Sequence, residues 1–411
     1  MPFFEHEAFI WLSAISALIA LFGVIYHWIG LHLIREFCQH EAELQPLLTK
    51  GEKKEWPRIS VFKPLYGDIP LLKEALETLL NQDYPYFEII FGVHDAKDPA
   101  VKVVEALQQA YPTQEIKIVI SPTKKGMNQK VINLGHIQKR ATSDIFVIAD
   151  ADIHVPPYWL KYIIQALQTP KTALVTAPYA GISAHAVNPW QSFSRLGINS
   201  SFLPGVLVSR YLGRQDCFGA TMALTRQKLE ELGGFEALES YVADDAKLAN
   251  TVRKTDENVA LLPALTLTSV TENSFQKLIQ HELRWGRTTK SVQPIAYAAS
   301  ILQFSLVWSA LALLFHPSWL FLTFFFFCLF SRWINVLCSE NLLIPKEIQA
   351  KSELGKLCYA ASLLPIIFLR EWMGALVILI SFLGSKVHWA GHILFARSIR
   401  KKPPVFQDEV E

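Results

Sequence analysis

Charge is what this sequence has least of. Only 18% of its 411 residues are Asp, Glu, Lys or Arg, against ~25% in average globular usage, while 51% are hydrophobic. Those figures exclude intrinsic disorder and point to a membrane protein with an aqueous portion. Lys and Arg number 39 and Asp and Glu 37, a net charge of +2. So balanced a chain lacks the cationic excess that neutralises phosphates, and nucleic acid is excluded as a partner. Cysteine is scarce as well. Cys38, Cys217, Cys328, Cys338 and Cys358 are an odd set with no C-x-x-C spacing, which argues against a zinc site or a secreted disulfide framework and for reduced, structural thiols. Neither G-x-G-x-x-G nor G-x-x-x-x-G-K-[ST] occurs, so a dinucleotide fold or P-loop ATPase is not expected. A phosphorylated ligand would have to be met by a metal or by basic side chains.

Long uncharged runs are what the sequence has instead. Ala8–Ile34 is 27 residues without Asp, Glu, Lys or Arg, and about 20 apolar residues cross a bilayer. Glu5 and Glu7 precede it rather than basic residues, unlike a removable signal peptide. Ser291–Ser331 adds 41 uncharged residues broken at His316-Pro317-Ser318, which reads as two spans joined by a tight turn. A third apolar region, Leu357–Ser385, is interrupted by Arg370 and Glu371; these pair with each other or face the aqueous domain. Arg35, Lys50, Lys53, Lys54 and Arg58 follow the first span, Arg287 and Lys290 precede the hairpin and Arg332 follows it. By the positive-inside rule residues 35–290 are cytoplasmic. Lys386, Arg397, Arg400, Lys401 and Lys402 also prefer the cytoplasm, although a single crossing through 357–385 would export them.

Between the membrane segments, Arg35–Lys290 is long enough for one domain with its own core. Ile59–Phe62, Glu88–Val93, Ile116–Ile120, Ile145–Ala149 and Ala173–Ala177 read as buried strands. Leu71–Leu80, Val101–Ala110 and Asn128–Lys139 read as the helices between them. That alternation predicts an α/β fold with a mostly parallel sheet and helices on both faces, its ligand crevice beyond the carboxyl ends of the strands.

Acidic clusters fall at such strand ends. Asp95 and Asp98 follow the second strand, and Asp150-Ala151-Asp152 follows Ile145–Ala149. Asp150-x-Asp152 suits a hard divalent ion shared with phosphate oxygens, or equally a solvated or helix-capping turn. Asp244-Asp245 follows Glu239-Ser240-Tyr241 and is also what a helix N-terminus favours. In His281-Glu282-Leu283-Arg284-Trp285 the spacing puts His281, Arg284 and Trp285 on one helical face, either toward a site or at the lipid headgroups. Pro189-Trp190-Gln191-Ser192-Phe193, running on through Ile198, Phe202 and Val208, is unusually apolar for a connection between strands. With Arg195 and Arg210 beside it, it reads as an interfacial helix at a lipid entrance or as an ordinary buried helix.

Taken in order, Asp98-Pro99-Ala100, Asp150-x-Asp152, Asp244-Asp245 and Arg284-Trp285 ahead of C-terminal spans resemble the ceramide glucosyltransferase family, membrane-embedded inverting enzymes with the nucleotide-sugar transferase fold called GT-A. Lys63-Pro64, Phe91-Gly92-Val93, Lys130-Val131, Cys217-Phe218-Gly219-Ala220-Thr221 and His281–Trp285 are more similar to the bacterial branch associated with hopanoid biosynthesis. The resemblance covers about residues 8–395. It implies a transmembrane helix over 8–34, a GT-A-like cytoplasmic domain over 35–290, a helical hairpin over 291–337 and, over 338–411, a C-terminal region whose segment 357–385 is a further membrane or interfacial element. It further implies that Asp95, Asp98, Lys130, Asp150, Arg284 and Trp285 bind a UDP-sugar. Asp152 with Asp150 would hold Mn²⁺ or Mg²⁺, Asp245 would be the general base, and His281, Trp285 and Phe202 would form the acceptor entrance. His281 stands where the family often has Gln or Arg, and Ala390 in Val387-His388-Trp389-Ala390-Gly391 where Arg is expected.

The implied reaction moves one hexose, N-acetylglucosamine or glucose, from a UDP-sugar to a hydroxyl of a membrane lipid, a hopanoid polyol or a ceramide, at the inner face of a bacterial cell membrane. An acceptor hydroxyl is a poor nucleophile at neutral pH and needs a carboxylate to take its proton. The leaving diphosphate gathers charge that a divalent ion and Arg284 would meet. Two other readings use the same residues: a processive polysaccharide synthase, for which three or four spans are few, and a membrane subunit that binds sugar nucleotides without catalysis.

Overall fold

The computed structural model describes residues 2–49, 55–124, 127–183, 188–345, 352–389 and 392–396. Lys50, Lys53, Lys54, Ala390, Gly391, Arg397, Arg400, Lys401 and Lys402 lie outside the described residues. The chain opens with helix α1 (Pro2–Thr49). The aqueous part begins with β1 (Ile59–Pro64), α2 (Leu72–Leu80), β2 (Phe87–Val93), α3 (Pro99–Ala110), β3 (Glu115–Ile120), α4 (Gln129–Gln138) and β4 (Ile145–Ala149). It continues through β5 (Ile153–His154), α5 (Trp159–Leu167), β6 (Thr172–Thr176), β7 (Tyr179–Ser183), α6 (Pro189–Gly197) and α7 (Leu203–Tyr211). Next come β8 (Thr221–Thr225), α8 (Arg226–Glu231), α9 (Asp244–Val252), β9 (Asn258–Leu261), β10 (Thr266–Val270) and α10 (Phe275–Val292). The C-terminal third carries α11 (Pro294–Ala299), α12 (Ser305–Phe315), α13 (Trp319–Leu343), α14 (Glu353–Ser381), β11 (Lys386–Trp389) and β12 (His392–Phe395).

Seven strands form the main sheet in the order β3-β2-β1-β4-β8-β6-β9. Only β8 runs against the others, pairing antiparallel with both β4 and β6, so the sheet is mostly parallel as expected. Both faces are covered, and the strand residues show it. Val61, Ile89 and Val147 belong to one core with Leu76, Leu107 and Trp159, whereas their neighbours Phe62, Ile90, Phe146 and Ile148 belong to another with Val131, Leu134 and Leu248. Alternate side chains point to opposite faces, and a strand buried on both faces must be apolar throughout. A second small sheet, β5-β10-β7, lies beside the first.

Chain order reverses on either side of β1. From β1 the chain builds outward through β2 to β3, then returns to place β4 on β1's other flank. Such a switch point opens a crevice beyond the strands' carboxyl ends. Lys63 near the end of β1 and Asp150 just after β4 face each other there, the Lys63 ammonium donating to the Asp150 carbonyl at 2.6 Å.

Among the described residues three helices are long and apolar enough to cross a membrane: Glu7–Pro46 within α1, α13 and α14. The 48 residues of α1 make a rod of ~72 Å at ~1.5 Å per residue, over twice a bilayer's hydrocarbon thickness. Its far end therefore lies along the α/β domain, where Leu48 joins the sheet core and the Glu41 carboxylate accepts from the Leu265 amide at 3.2 Å. Phe9, Trp11, Ile15, Leu18, Phe22, Ile25 and Ile29 of α1 are exposed, a face fit for lipid. Close packing elsewhere is enforced by Gly23, where an added Cβ would lie 2.7 Å from the Gln303 carbonyl. The 291–331 stretch turns at His316-Pro317-Ser318, but its first limb is not straight: the pair Pro294–Gln303 and Ser305–Phe315 is bent by 64° at Phe304, whose φ of −78° and ψ of 80° leave the helical region. The apolar segment Pro189–Val208 likewise is two helices, α6 and α7, joined by a π turn at Ile198–Phe202.

Arg370 and Glu371 serve different partners. Successive helix residues point about 100° apart. Arg370 accordingly reaches Glu282 on α10 at 2.9 Å, while Glu371 pairs with Arg332 on α13 at 2.7 Å.

Phe146 is fully buried with its ring 4.8 Å from Phe62. Replacing it with alanine should destabilise the domain by about 3–5 kcal/mol, as expected for emptying an aromatic site in a core. Thermal melting in detergent would show a fall of several degrees; an unchanged midpoint would mean that this face of the sheet does not hold the domain together.

Candidate active site

Two of the acidic clusters, far apart in sequence, meet because β4 and β8 are neighbours. The Asp150 amide donates to the Ala220 carbonyl at 3.1 Å, which ties the end of β4 to the loop leading into β8. That loop is shaped by Thr176, whose hydroxyl oxygen accepts from the Phe218 amide at 2.9 Å. The adjoining Gly219 amide then donates to Asp245 at 2.8 Å. Asp245 accepts a second bond from the Ala246 amide at 2.6 Å, so the acid pair does begin a helix, α9, with Asp245 turned toward the crevice. Asn128, the cap of α4, bonds the Tyr241 carbonyl at 2.9 Å and holds the approach to α9 in place.

Lys130 sits among these acids. Its ammonium is 2.6 Å from Asp150 and donates to the Gly219 carbonyl at 2.9 Å. Burial works against its charge, but Asp150, Asp244 and Asp245 outweigh burial and hold its pKa above the ordinary lysine value. Asp245 moves the other way: burial and the Asp244 charge push its carboxyl up to about 6 against the pull of its two amide bonds and Lys130. Asp244 is raised chiefly by burial, and one of its carboxylate oxygens has no hydrogen-bond partner among the described residues. Asp152 is raised by burial and by Asp150, with the Thr268 hydroxyl donating to it at 2.5 Å. Lys63, fully buried beneath Asp150 and Asp152, is lowered by burial to about 8 against their opposing pull.

Tyr179, at the start of β7, links the two halves of the crevice. Burial raises its phenol above the ordinary value, and Asp245, Asp152 and Asp150 add to the rise while Arg284 opposes it. Asp152 and Asp245 therefore act on one hydroxyl, and Arg284, reaching in from α10, acts on it too. Arg284 is itself half-buried near Asp150, Asp152, Glu272 and Tyr179, and guanidinium remains charged in such surroundings. An aromatic wall flanks the acids. The Tyr179 ring lies 4.8 Å from Phe202, and Phe202 lies 5.7 Å from Phe218 and 6.0 Å from Trp285. His281 meets Trp285 edge-on at 4.5 Å, and its Nδ1 is hydrogen-bonded to the buried Glu272.

The expected residues thus separate into two groups. Asp150, Asp152, Asp245 and Arg284 gather near Tyr179, Lys130 joins them through Asp150, and Phe202, Trp285 and His281 follow along the aromatic wall. Asp95 and Asp98 lie in the turn after β2. The Asp98 carboxylate caps α3 through the Ala100 amide at 2.9 Å and takes the Gly67 amide at 2.9 Å; Gly67 has φ +73°, a left-handed conformation suited to glycine. Asp95 is exposed. In the order β2-β1-β4 this turn lies two strands from Asp150, roughly 10 Å at ~4.8 Å per strand. Tyr179, Lys63, Thr268, Glu272 and Phe218 are site residues to which sequence reasoning assigned no role. Glu272 and Thr268 carry no local signal, and Lys63 had one only as part of Lys63-Pro64.

Among the described residues no three His, Cys, Asp or Glu side chains are grouped to hold a metal ion. The donor set here is at most Asp150 and Asp152. This fits a magnesium-like ion, which is commonly held by one or two carboxylates with the remaining positions filled by substrate phosphates and water.

Glycosyl transferase family 21 matches residues 15–401. Ceramide glucosyltransferase 1 of Caenorhabditis elegans is 29% identical over 292 residues, covering 68% of this chain and 59% of that protein. The ceramide glucosyltransferase of Komagataella phaffii is 28% identical over 164 residues, covering 39% of this chain and 30% of that protein. The chain thus spans about three fifths, or less, of the length of these curated relatives. Among solved structures, the mannosyltransferase PcManGT from Pyrobaculum calidifontis, in complex with GDP-Man and Mn²⁺, aligns with a TM-score of 0.44 at 16% identity, covering 87% of this chain and 98% of that one.

Removing the Lys130 charge, as in Lys130→Met, should leave buried carboxylates uncompensated and cost on the order of 3 kcal/mol at neutral pH. The deficit should shrink as pH falls through 6, because protonation of Asp245 removes one of the stranded charges. Melting curves of variant and parent at pH 7.5 and 5.5 check this; a deficit that is the same at both values would show that Lys130 does not balance the acids.

Proposed function

Since the chain belongs to glycosyl transferase family 21 and its α/β domain is built on a mostly parallel sheet, we propose that it is an inverting, GT-A-like transferase carrying one hexose from a UDP-sugar to a hydroxyl of a membrane lipid. The supporting observation is the meeting of Asp152, Asp245 and Arg284 around Tyr179, beside an aromatic wall and next to helices apolar enough for a bilayer. Glucose or N-acetylglucosamine as the sugar and a ceramide or hopanoid polyol as the acceptor fit this reading. Residues 35–290 would then lie on the cytoplasmic side, in a bacterial cell membrane.

In this mechanism the nucleotide lies along the strand ends, with the Asp95–Asp98 turn toward the nucleoside and Asp150 toward the diphosphate. A divalent ion held by Asp152 and Asp150 would supply positive charge beside the diphosphate. Arg284 and Lys130 bring fixed cationic charge to the same place, and charge positioned before the reaction stabilises a leaving group without reorganisation. The acceptor enters along Phe202 and Trp285, its hydroxyl directed to Asp245. With a pKa of about 6, Asp245 is ionised at neutral pH yet basic enough to take the proton as the oxygen attacks. Attack from the side opposite the diphosphate inverts the anomeric centre, and no second carboxylate is needed as nucleophile.

Three experiments check this. Asp245→Asn should lower transfer about 10³-fold or more, within the range of lost general-base catalysis, while UDP binding stays near parental; Asp152→Ala should instead lose the divalent-ion dependence of UDP binding. Purified protein incubated with a panel of UDP-sugars and membrane lipids, read by mass spectrometry, should show one lipid gaining a single hexose, whereas a polymer ladder would favour a processive synthase. In the parent enzyme kcat/KM should rise about tenfold per pH unit below 6 and level off above it, since only the ionised carboxylate accepts a proton. A profile flat from pH 5 to 8 would remove Asp245 from the role of base.

A further inference from the structure

Deep in the helix bundle lies a charge arrangement that the reaction above does not use. Arg332 of α13 and Glu371 of α14 are almost completely buried and lie 2.7 Å apart. The same guanidinium bonds Asn335 at 2.9 Å, and Glu371 also accepts from the Leu306 amide at 2.8 Å. Placing such a pair among apolar helices is costly, and intramembrane charges are usually kept for function. The free edge of Arg332 identifies what this one holds. It donates to the Ser200 carbonyl at 3.0 Å and to the Ser200 hydroxyl at 3.2 Å.

Ser200 is the middle residue of the π turn Ile198–Phe202. In this turn the Leu203 amide reaches back five residues to the Ile198 carbonyl, an arrangement rare in proteins and common at functional sites because it displaces groups from the regular helical ladder. The residue before Ser200 is fixed as well. Asn199 accepts from the Gly181 amide of β7 at 2.6 Å and donates to Glu340 of α13 at 2.8 Å. Glu340 in turn is paired with Arg195 at 2.8 Å and accepts from the Tyr359 hydroxyl at 2.6 Å. Thus α13 grips the turn at two points eight residues apart in its own sequence. The turn ends on Phe202, the ring that touches Tyr179, Phe218 and Trp285.

We propose that Arg332, kept in place by Glu371, is a positioning residue for the lipid acceptor: by holding the Ser200 carbonyl it maintains the π turn that sets Phe202 against the reaction crevice. This rests on the lipid transferase reading above and adds to it the means by which the membrane helices shape the acceptor's route. A regular α-helix through the same residues would rotate Phe202 off the wall. The donor side is untouched, because Lys63, Lys130, Asp150 and Asp152 are held by the sheet and its loops.

The test is the double variant Arg332→Met, Glu371→Met in the full-length protein. Removing both charges together leaves neither one stranded, a replacement that buried pairs often tolerate. KM for the lipid acceptor should rise about tenfold or more, since small misplacements of a positioning group can cost up to ~100-fold, while UDP binding and the slow hydrolysis of UDP-sugar by water stay within about twofold of the parent. A folded double variant with unchanged acceptor KM overturns the proposal, as does one in which donor affinity falls by the same factor. Should the double variant not fold, Arg332→Lys gives the reading. A lysine keeps the charge beside Glu371 but lacks the planar fork needed to reach Ser200 at the same time, so it too should raise acceptor KM alone, and an unchanged value overturns the proposal. If the parent itself transfers no sugar to lipid, the transferase reading fails and the positioning role fails with it. If the parent transfers and the variants match it, only the positioning role fails.

Discussion

Bringing several carboxylates into one crevice demands a cation that cannot leave, and Lys130 meets that demand. Its ammonium is bonded to Asp150 and to the Gly219 carbonyl, and its charge also acts on Asp244 and Asp245. The same Gly219 uses its amide to hold Asp245. One lysine and one peptide unit therefore join the acids after β4 to the acids that start α9. An added Cβ on Gly219 would lie 3.1 Å from the Asp245 carboxylate, so a side chain there would press the carboxylate out of place. The balance is partial: Lys130 keeps the group together, while burial still leaves Asp245 easier to protonate than an ordinary aspartate.

Much of this was legible in the sequence, for identifiable reasons. Strands β1, β2, β4 and β6 are nearly continuous apolar runs, which a strand covered on both faces requires, while β3 at the sheet edge interleaves Glu115 and Lys117 with its apolar residues. Strands β8 and β10 are less visible: Thr221-Met222-Ala223-Leu224-Thr225 and Thr266-Leu267-Thr268-Ser269-Val270 begin and end with, or alternate in, hydroxyl side chains whose partners come from elsewhere in the fold. Thr268, for example, serves Asp152. The π turn leaves no trace, because Ile198-Asn199-Ser200-Ser201-Phe202 has no periodicity to distinguish one extra residue per turn.

The site divides in the same way. Acids in pairs after apolar runs announce themselves, and so does His281-x-x-Arg284-Trp285 on a helix. Tyr179 does not. It stands in Ala177-Pro178-Tyr179-Ala180 with no neighbour to mark it, and only the three-dimensional meeting of β7 with the ends of β4 and α10 gives its hydroxyl four charged neighbours. Glu272 is hidden for a related reason. A single acid before Asn273-Ser274 looks like part of the start of α10, whereas its carboxylate turns inward to His281.

Helix α10 shows why the membrane bundle and the crevice have to be considered together. The face carrying His281, Arg284 and Trp285 looks to the aromatic wall and the acids. The flanking positions look to α14 and to the start of β11: Glu282 pairs with Arg370, Lys290 donates to the Ser381 and Gly384 carbonyls at 2.8 and 2.5 Å, and Arg287 donates to the Lys386 carbonyl at 2.6 Å. The Lys290 contacts satisfy carbonyls left over at and just beyond the end of α14, where a cation is also favoured by the helix dipole. Between them Gly286 has no room for a side chain, since an added Cβ would collide with the Ser381 and Tyr297 hydroxyls. A helix pinned this firmly on one side fixes the height and rotation of Arg284 and Trp285 on the other. The depth of α14 in its surroundings is thereby translated into the position of the guanidinium over the crevice, a link that no motif within the α/β domain could supply by itself.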